Sequence, residues 1–274
     1  MFFNSSPAGR WSNRIQIHIP NQPLVEKYTR FYKGQGRKTI KDSFDRAWPF
    51  IPVMADILES FGVPAEMLSV VLVESRFKRH ASYRGAGGYW QLLAATARSM
   101  GLRVDRWVDE RMDPVKSTQA AAKYLRSFYE KYHSWPLALA AYNAGDGPVS
   151  GALKRSGASD FWELSNRGGL PAHTRVYVPK VLAAIRIMRD PEAFGFERLR
   201  NFQIYDFESI WIRAQTPLHL EQVARWVDVP VSHMRDLNPS LRMDRLPPEG
   251  GFNLHLPSGA RDKFDLAYAE FLRR

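Results

Sequence analysis

Met67-Leu68-Ser69-Val70-Val71-Leu72-Val73-Glu74-Ser75 sets a single carboxylate at the end of an almost wholly apolar run. A helix that is apolar nearly all round belongs in a core. The segment therefore predicts a buried helix over residues 65–75, with Pro64 suited to its first turn. On that helix Glu74 shares a face with Met67, Val70 and Val71, at i−7, i−4 and i−3. Desolvation there penalises the ionised form and raises the pKa, which suits a general acid working at neutral pH. Two plainer readings stay open from this geometry: Glu74 as the last, exposed residue of the helix, or as an ion-pair partner of Arg76 or Arg79.

Helical punctuation continues on both sides. Upstream, Leu24, Tyr28, Phe31 and Tyr32 recur at helical spacing after Pro23 and stop at Gly34 and Gly36. Ile40, Phe44, Ala47 and Trp48 form a second stripe broken near Pro49 and Pro52, and a third helix ends at Gly62. Downstream, residues 76–88 are basic and glycine-rich and read as a loop, and a short helix over 96–100 closes at Gly101. Asp113 caps and Pro114 opens a long helix with Ala121, Tyr124, Leu125, Phe128 and Tyr132 along one side. Further helices run from Pro136 to Asn143-Ala144-Gly145, from Pro148 to Arg155, and from Thr174 and Pro179 to about Arg189.

Beyond Asp190-Pro191 the pattern changes. Residues 207–213 and 252–256 read as strands, and 218–227 and 232–237 as short helices. Two short helices with a tight link also fit a helix-turn-helix, so the flanking strands carry the distinction. The predicted fold is mainly α: an all-helical domain over 21–195, then a small α+β (β-α-α-β) module over 201–260. Residues 1–20 are expected to be an extended lead-in and 261–274 a tail.

Composition narrows the function. With 45 % hydrophobic residues and 13 % aromatics, 274 residues supply ample core and exclude a mostly disordered chain. The absence of cysteine excludes disulfide scaffolds, cysteine-ligated metals and thiol nucleophiles. The seven histidines show no metal spacing, and His80 reads as solvated loop. No apolar run approaches the roughly 20 residues of a membrane-spanning helix. Met1-Phe2-Phe3-Asn4 lacks the basic start of a signal peptide. Of the net charge of +11, residues 1–200 hold 30 Lys and Arg against 18 Asp and Glu, while 201–274 hold 9 against 10. The basic part favours a polyanionic partner: nucleic acid, anionic lipid or an acidic wall polymer.

Four short stretches then fall in a telling order. They are Glu74-Ser75-Arg76-Phe77; the run Ala81-Ser82-Tyr83-Arg84-Gly85-Ala86-Gly87-Gly88-Tyr89-Trp90-Gln91; Ala140-Ala141-Tyr142-Asn143-Ala144-Gly145; and Thr174-Arg175-Val176-Tyr177-Val178. Together they resemble the lysozyme-like catalytic domain of the lytic transglycosylases. The likeness is strongest to the membrane-bound D-type members, through Asn21-Gln22-Pro23-Leu24 and Asp160-Phe161-Trp162-Glu163-Leu164. The chain departs from the family where Gly-Leu-Trp-Gln becomes Gly88-Tyr89-Trp90-Gln91, and where Phe-Asn-Pro becomes Phe77-Lys78-Arg79. Both changes are expected at the rim of the cleft. The C-terminal part resembles a LysM-like module, with Ala214-Gln215-Thr216-Pro217-Leu218 in place of the usual Gly-Asp-Thr-Leu. Glycan binding and a purely structural role are both open for it.

The resemblance implies that Glu74 is the single catalytic acid/base and that Ser82 and Gln91 position substrate. It also implies that Tyr142 and Asn143 line the saccharide cleft, with Tyr177 close to the carboxylate. From the residues alone, helix-end packing accounts for Tyr142 and Asn143, and core packing for Tyr177 and Trp90. No second acid stands out near Glu74, and Asp105, Asp109 and Asp113 read as structural. The implied reaction is cleavage of the bond between N-acetylmuramic acid and N-acetylglucosamine in peptidoglycan, with closure of a 1,6-anhydro ring. It needs no metal and no cofactor. A hydrolytic muramidase and an inactive wall-binding scaffold are the alternatives. The implied partner is the glycan strand and not nucleic acid. The expected state is a monomer in the periplasm or at the outer membrane, with any export or anchor segment outside this chain.

Overall fold

The computed structural model describes residues 17–47, 49–196, 206–213 and 216–273. Expectations for residues 1–16, Trp48, the link at 197–205 and Ala214-Gln215 lie outside the described residues. The first part is helical, as the sequence predicts for every element but α9: α1 (Pro23–Lys33), α2 (Arg37–Ala47), α3 (Ile51–Ser60), α4 (Leu68–Glu74), α5 (Ala94–Ser99), α6 (Pro114–Tyr132), α7 (Trp135–Ala144), α8 (Asp146–Ser156), α9 (Phe161–Asn166) and α10 (Ala172–Arg189).

The central helix is α4, entered through a 3₁₀ turn at Ala65–Met67. Leu68, Val70 and Val71 are fully buried, and each such side chain stabilises the fold by about 1.5–3 kcal/mol. The long helix α10 packs against α1, α4 and α7, while α6 packs against α3 and α7. Asp113 starts α6 by accepting the backbone N–H groups of Val115 and Lys116 at 2.8 and 2.9 Å, with Pro114 in the first turn. Near the start of the described chain, Ile17 donates its N–H to Glu66 at 2.9 Å, and Arg189 at the end of α10 holds the same carboxylate.

The expected loop at 76–88 contains two short strands, β1 (Ser82–Tyr83) and β2 (Ala86–Gly87), of a small antiparallel sheet that β3 (Leu92–Leu93) completes. Two-residue strands are too short to show a period of two, so the sequence could not announce them. Two prolines also behave differently from expectation. Pro52 falls in the first turn of α3, where its missing N–H costs nothing, and Pro179 lies inside α10.

The second part has the predicted β-α-α-β order: β4 (Phe207–Ile212), α11 (Leu220–Trp226), α12 (Val231–Leu237) and β5 (Phe252–Pro257). β4 and β5 are antiparallel, from Phe207 opposite Pro257 to Ile212 opposite Phe252. The expected tail instead forms α13 (Arg261–Leu272), whose Phe264 is buried with Leu254 and Leu256 and meets Trp226 edge-on. One residue from the helical part, Val108, is fully buried in this second core. No helix among the described residues is long and apolar enough to cross a membrane.

Candidate active site

Glu74 is the last residue of α4 and is half-buried. Burial pushes its carboxyl up to about 7, and the Tyr177 hydroxyl opposes the shift. Glu74 makes no ion pair among the described residues. Arg79, one of the cations proposed above as a partner, pairs with Asp236 instead. Nor does any second carboxylate contribute to the Glu74 shift.

Two tyrosines neighbour this carboxyl electrostatically. Tyr142 and Tyr177 are held neutral by burial and by the nearby Glu74, and Tyr177 in turn senses Tyr32. The Tyr142 hydroxyl donates to the carbonyl of Trp90 at 2.6 Å. The Tyr177 hydroxyl is buried beside Glu74, close enough to lower its pKa as a hydrogen-bonding group, though it meets full hydrogen-bond geometry with no protein atom. It is thus a polar group beside the carboxyl with capacity to spare. Tyr32, read from the sequence only as part of a helical stripe, neighbours Tyr177 because α1 packs on α10.

The residue after Glu74 fixes the geometry. Ser75 is buried and donates to the carbonyl of Tyr89 at 2.6 Å, joining the end of α4 to the turn between β2 and β3. That turn carries the other expected residues. Gln91 sits at φ +50° and donates from Nε2 to the carbonyls of Ala81 and Gly88 at 2.9 and 2.8 Å. Trp90 is fully buried and donates its indole N–H to Thr118 on α6 at 2.9 Å. Tyr89 is also buried, its ring 5.7 Å from that of Phe50. This substitution therefore sits inside the core and not at a rim. Ser82 is exposed on β1, opposite Gly87. Asn143, near the end of α7, accepts from the buried Thr174 at 2.9 Å, so the third and fourth motifs meet side by side. The seryl, glycyl and tryptophanyl residues of the motifs shape the loop, and Glu74, Tyr142 and Tyr177 share one electrostatic environment.

Gly88 explains why the turn is rich in glycine. At φ +78° a Cβ on this residue would stand 1.8 Å from the carbonyl oxygen of Arg111. Only glycine permits that approach. Among the described residues, no group of three or more His, Cys, Asp or Glu could hold a metal ion.

Comparison with known proteins matches two stretches of the chain to domain families. Residues 57–165 match the transglycosylase SLT domain, and residues 210–272 match the LysM-like domain of the lytic transglycosylase MltD. The membrane-bound lytic murein transglycosylase D of Escherichia coli K12 is 28 % identical over 92 % of the chain, which covers 55 % of that protein. The peptidoglycan transglycosylase gp16 of phage T7 is 34 % identical over 46 % of the chain, covering 10 % of that protein. The crystal structure of the 70-kDa soluble lytic transglycosylase of Escherichia coli aligns over 63 % of this chain and 33 % of its own, at 19 % identity and TM-score 0.46. The chain thus spans about half the length of the transglycosylase D proteins it matches. By these matches it carries an SLT-type domain followed by an MltD-type LysM-like domain.

Proposed function

We propose that this protein is a peptidoglycan lytic transglycosylase in which Glu74 serves as acid and then as base. One observation carries the reading: a carboxyl raised to about 7 at the end of a core helix, with neither a cation nor a second carboxylate acting on it. Most glycosidases divide their work between two carboxylates. A lone acid suffices when the substrate supplies the nucleophiles.

In the proposed reaction, protonated Glu74 gives its proton to the oxygen linking N-acetylmuramic acid to N-acetylglucosamine. The C1–O bond breaks and the 2-acetamido oxygen closes on C1. Glu74, now ionised, removes the proton from the muramic 6-hydroxyl, and O6 displaces the acetamido oxygen from C1. The products are a free 4-hydroxyl and a 1,6-anhydro ring, and no water is consumed. Burial favours the protonated starting form, and the Tyr177 hydroxyl, which already lowers the Glu74 pKa, would donate to the carboxylate once it ionises. Tyr142 and Asn143 would line the saccharide cleft, with Ser82 and Gln91 on its loop side. The basic charge of residues 1–200 suits a wall polymer that carries peptide carboxylates.

The proposed setting is the periplasm or the outer membrane, where peptidoglycan is accessible, and the proposed working state is a monomer. The proposed division is a helical unit over 21–195 and a LysM-like unit from 201. Mass spectrometry of purified sacculi digested with the protein tests the chemistry. Anhydro-muramic ends are expected; reducing ends, heavier by one water, would instead identify a hydrolytic muramidase.

A further inference from the structure

A buried polar network joins the two units through Asp109, Arg111 and Arg242. Asp109 is 3 % exposed and receives two arginines. Arg111 binds it in fork geometry, Nε to Oδ1 and Nη2 to Oδ2, both at 2.8 Å. Arg242 of the LysM-like unit donates to the same Oδ2 at 2.7 Å, across 133 positions of sequence. With Nε and Nη2 so engaged, Arg111 directs Nη1 at the carbonyls of Gly85 and Leu92, each at 2.9 Å. These carbonyls flank the turn that holds Gly88, Tyr89, Trp90 and Gln91.

The backbone repeats the connection. Arg242 donates its N–H to the carbonyl of Trp107, Asp109 donates to that of Ser240, and Val108 bridges Leu241. Val108 is buried in the second core. A few residues on, Asp113 caps α6 with one carboxylate oxygen and meets Nε2 of the buried His255 at 3.1 Å with the other. The 107–113 segment is therefore held from both units, and its Arg111 side chain and carbonyl fill the space that Gly87 and Gly88 leave open.

We propose that Arg111 is a positioning residue for the site, and that Arg242 of the LysM-like unit completes its hold on the Gly88–Gln91 turn through Asp109. Of the two guanidinium groups on this buried carboxylate, Arg111 bonds both oxygens and Arg242 adds the one charge-assisted bond that comes from the LysM-like unit. Losing Arg242 removes the donor that anchors Asp109 from the LysM-like unit, so the Asp109–Arg111 fork is free to shift and Arg111 is held less firmly against the two carbonyls. The turn then loosens at Tyr89 and Trp90, the carbonyls to which Ser75 and Tyr142 are tied. On this account the LysM-like unit is an internal brace of the active site, whatever it also binds.

The test uses the full chain. Arg242 has a side chain 44 % exposed, so Arg242→Met opens no core cavity. Amide hydrogen exchange at Gly88 and Gln91 is expected to accelerate about tenfold or more while exchange in α10 stays unchanged. Arg242→Lys should restore most of the protection, and Arg111→Lys, unable to span both carbonyls, should not. For the turnover arm, which rests on the proposed function, kcat on peptidoglycan should fall severalfold with KM little changed. Unchanged exchange at Gly88 and Gln91 in either Arg242→Met or Arg111→Lys would overturn the proposal, as would acceleration spread equally through α10. A wild-type chain that does not cleave peptidoglycan would remove the proposed function but leave the exchange result to decide this inference.

Discussion

Ser75 and Tyr89, fourteen residues apart, are joined by a 2.6 Å hydrogen bond from the buried serine hydroxyl to the tyrosine carbonyl. This bond makes the end of α4 and the β2–β3 turn one object. Glu74 is the residue just before it, so the position of the carboxyl depends on the turn.

Replacing Ser75 with Ala leaves the buried carbonyl of Tyr89 without that donor. Loss of such a bond costs about 1–3 kcal/mol, so Ser75→Ala should unfold at correspondingly lower denaturant concentration. It should also lose activity beyond what the fraction unfolded explains. Wild-type stability in urea titrations would count against the bond as a structural tie.

Gly88→Ala should be far more damaging. The added methyl would meet the Arg111 carbonyl oxygen at 1.8 Å, in a left-handed conformation that alanine disfavours. The expected loss exceeds about 3 kcal/mol. Thermal melting checks it, and a Gly88→Ala protein melting with the wild type would contradict the described turn.

Much of this was legible in the sequence, and the reasons differ by element. The α4 helix and its terminal carboxylate were readable because burial leaves an unbroken apolar run, and α6 because Asp113-Pro114 is a local start signal. The α9 helix went unread although a signal was present. Asp160 accepts the N–H of Glu163 while Glu163 reaches back to Ser159, a capping pattern written in the residues. Tyr32, Arg111, Arg242 and His255 had no such local mark. Their partners are distant in sequence and meet only through packing. Tyr89 looked like a rim substitution because position in a motif does not say which way a side chain faces, and it is buried.

The raised pKa of Glu74 makes stability depend on pH. The folded chain holds this proton up to about 7, against 4.5 as the ordinary value. The stabilisation is therefore complete below about 4.5 and is lost as pH rises through 7. Above that the ionised carboxylate costs the fold up to about 3 kcal/mol relative to the unfolded chain. Wild type and Glu74→Gln should accordingly diverge in melting temperature between pH 5 and pH 8, the Gln protein gaining at the alkaline end. Parallel pH profiles would show that the carboxyl titrates as an exposed one.

Tyr177→Phe tests the hydroxyl beside the carboxyl. That hydroxyl lowers the Glu74 pKa against the effect of burial. Its removal should move the alkaline limb of the pH–rate profile upward by less than about one pH unit, while lowering the rate because the ionised intermediate loses a donor. A limb displaced toward acid would place Tyr177 in another role.

Glu74→Gln bears on the central claim most directly. The amide keeps shape and volume but has no proton to transfer, and one residue is asked to act first as acid and then as base. General acid–base catalysis contributes about 10²–10⁴ in rate, so turnover of purified peptidoglycan by the Gln protein should fall at or beyond the upper end of that range. The protein should remain folded and still bind glycan strands. A correctly folded Glu74→Gln protein that releases anhydro-muropeptides at anything near the wild-type rate would contradict the assignment of Glu74 and the single-acid mechanism with it.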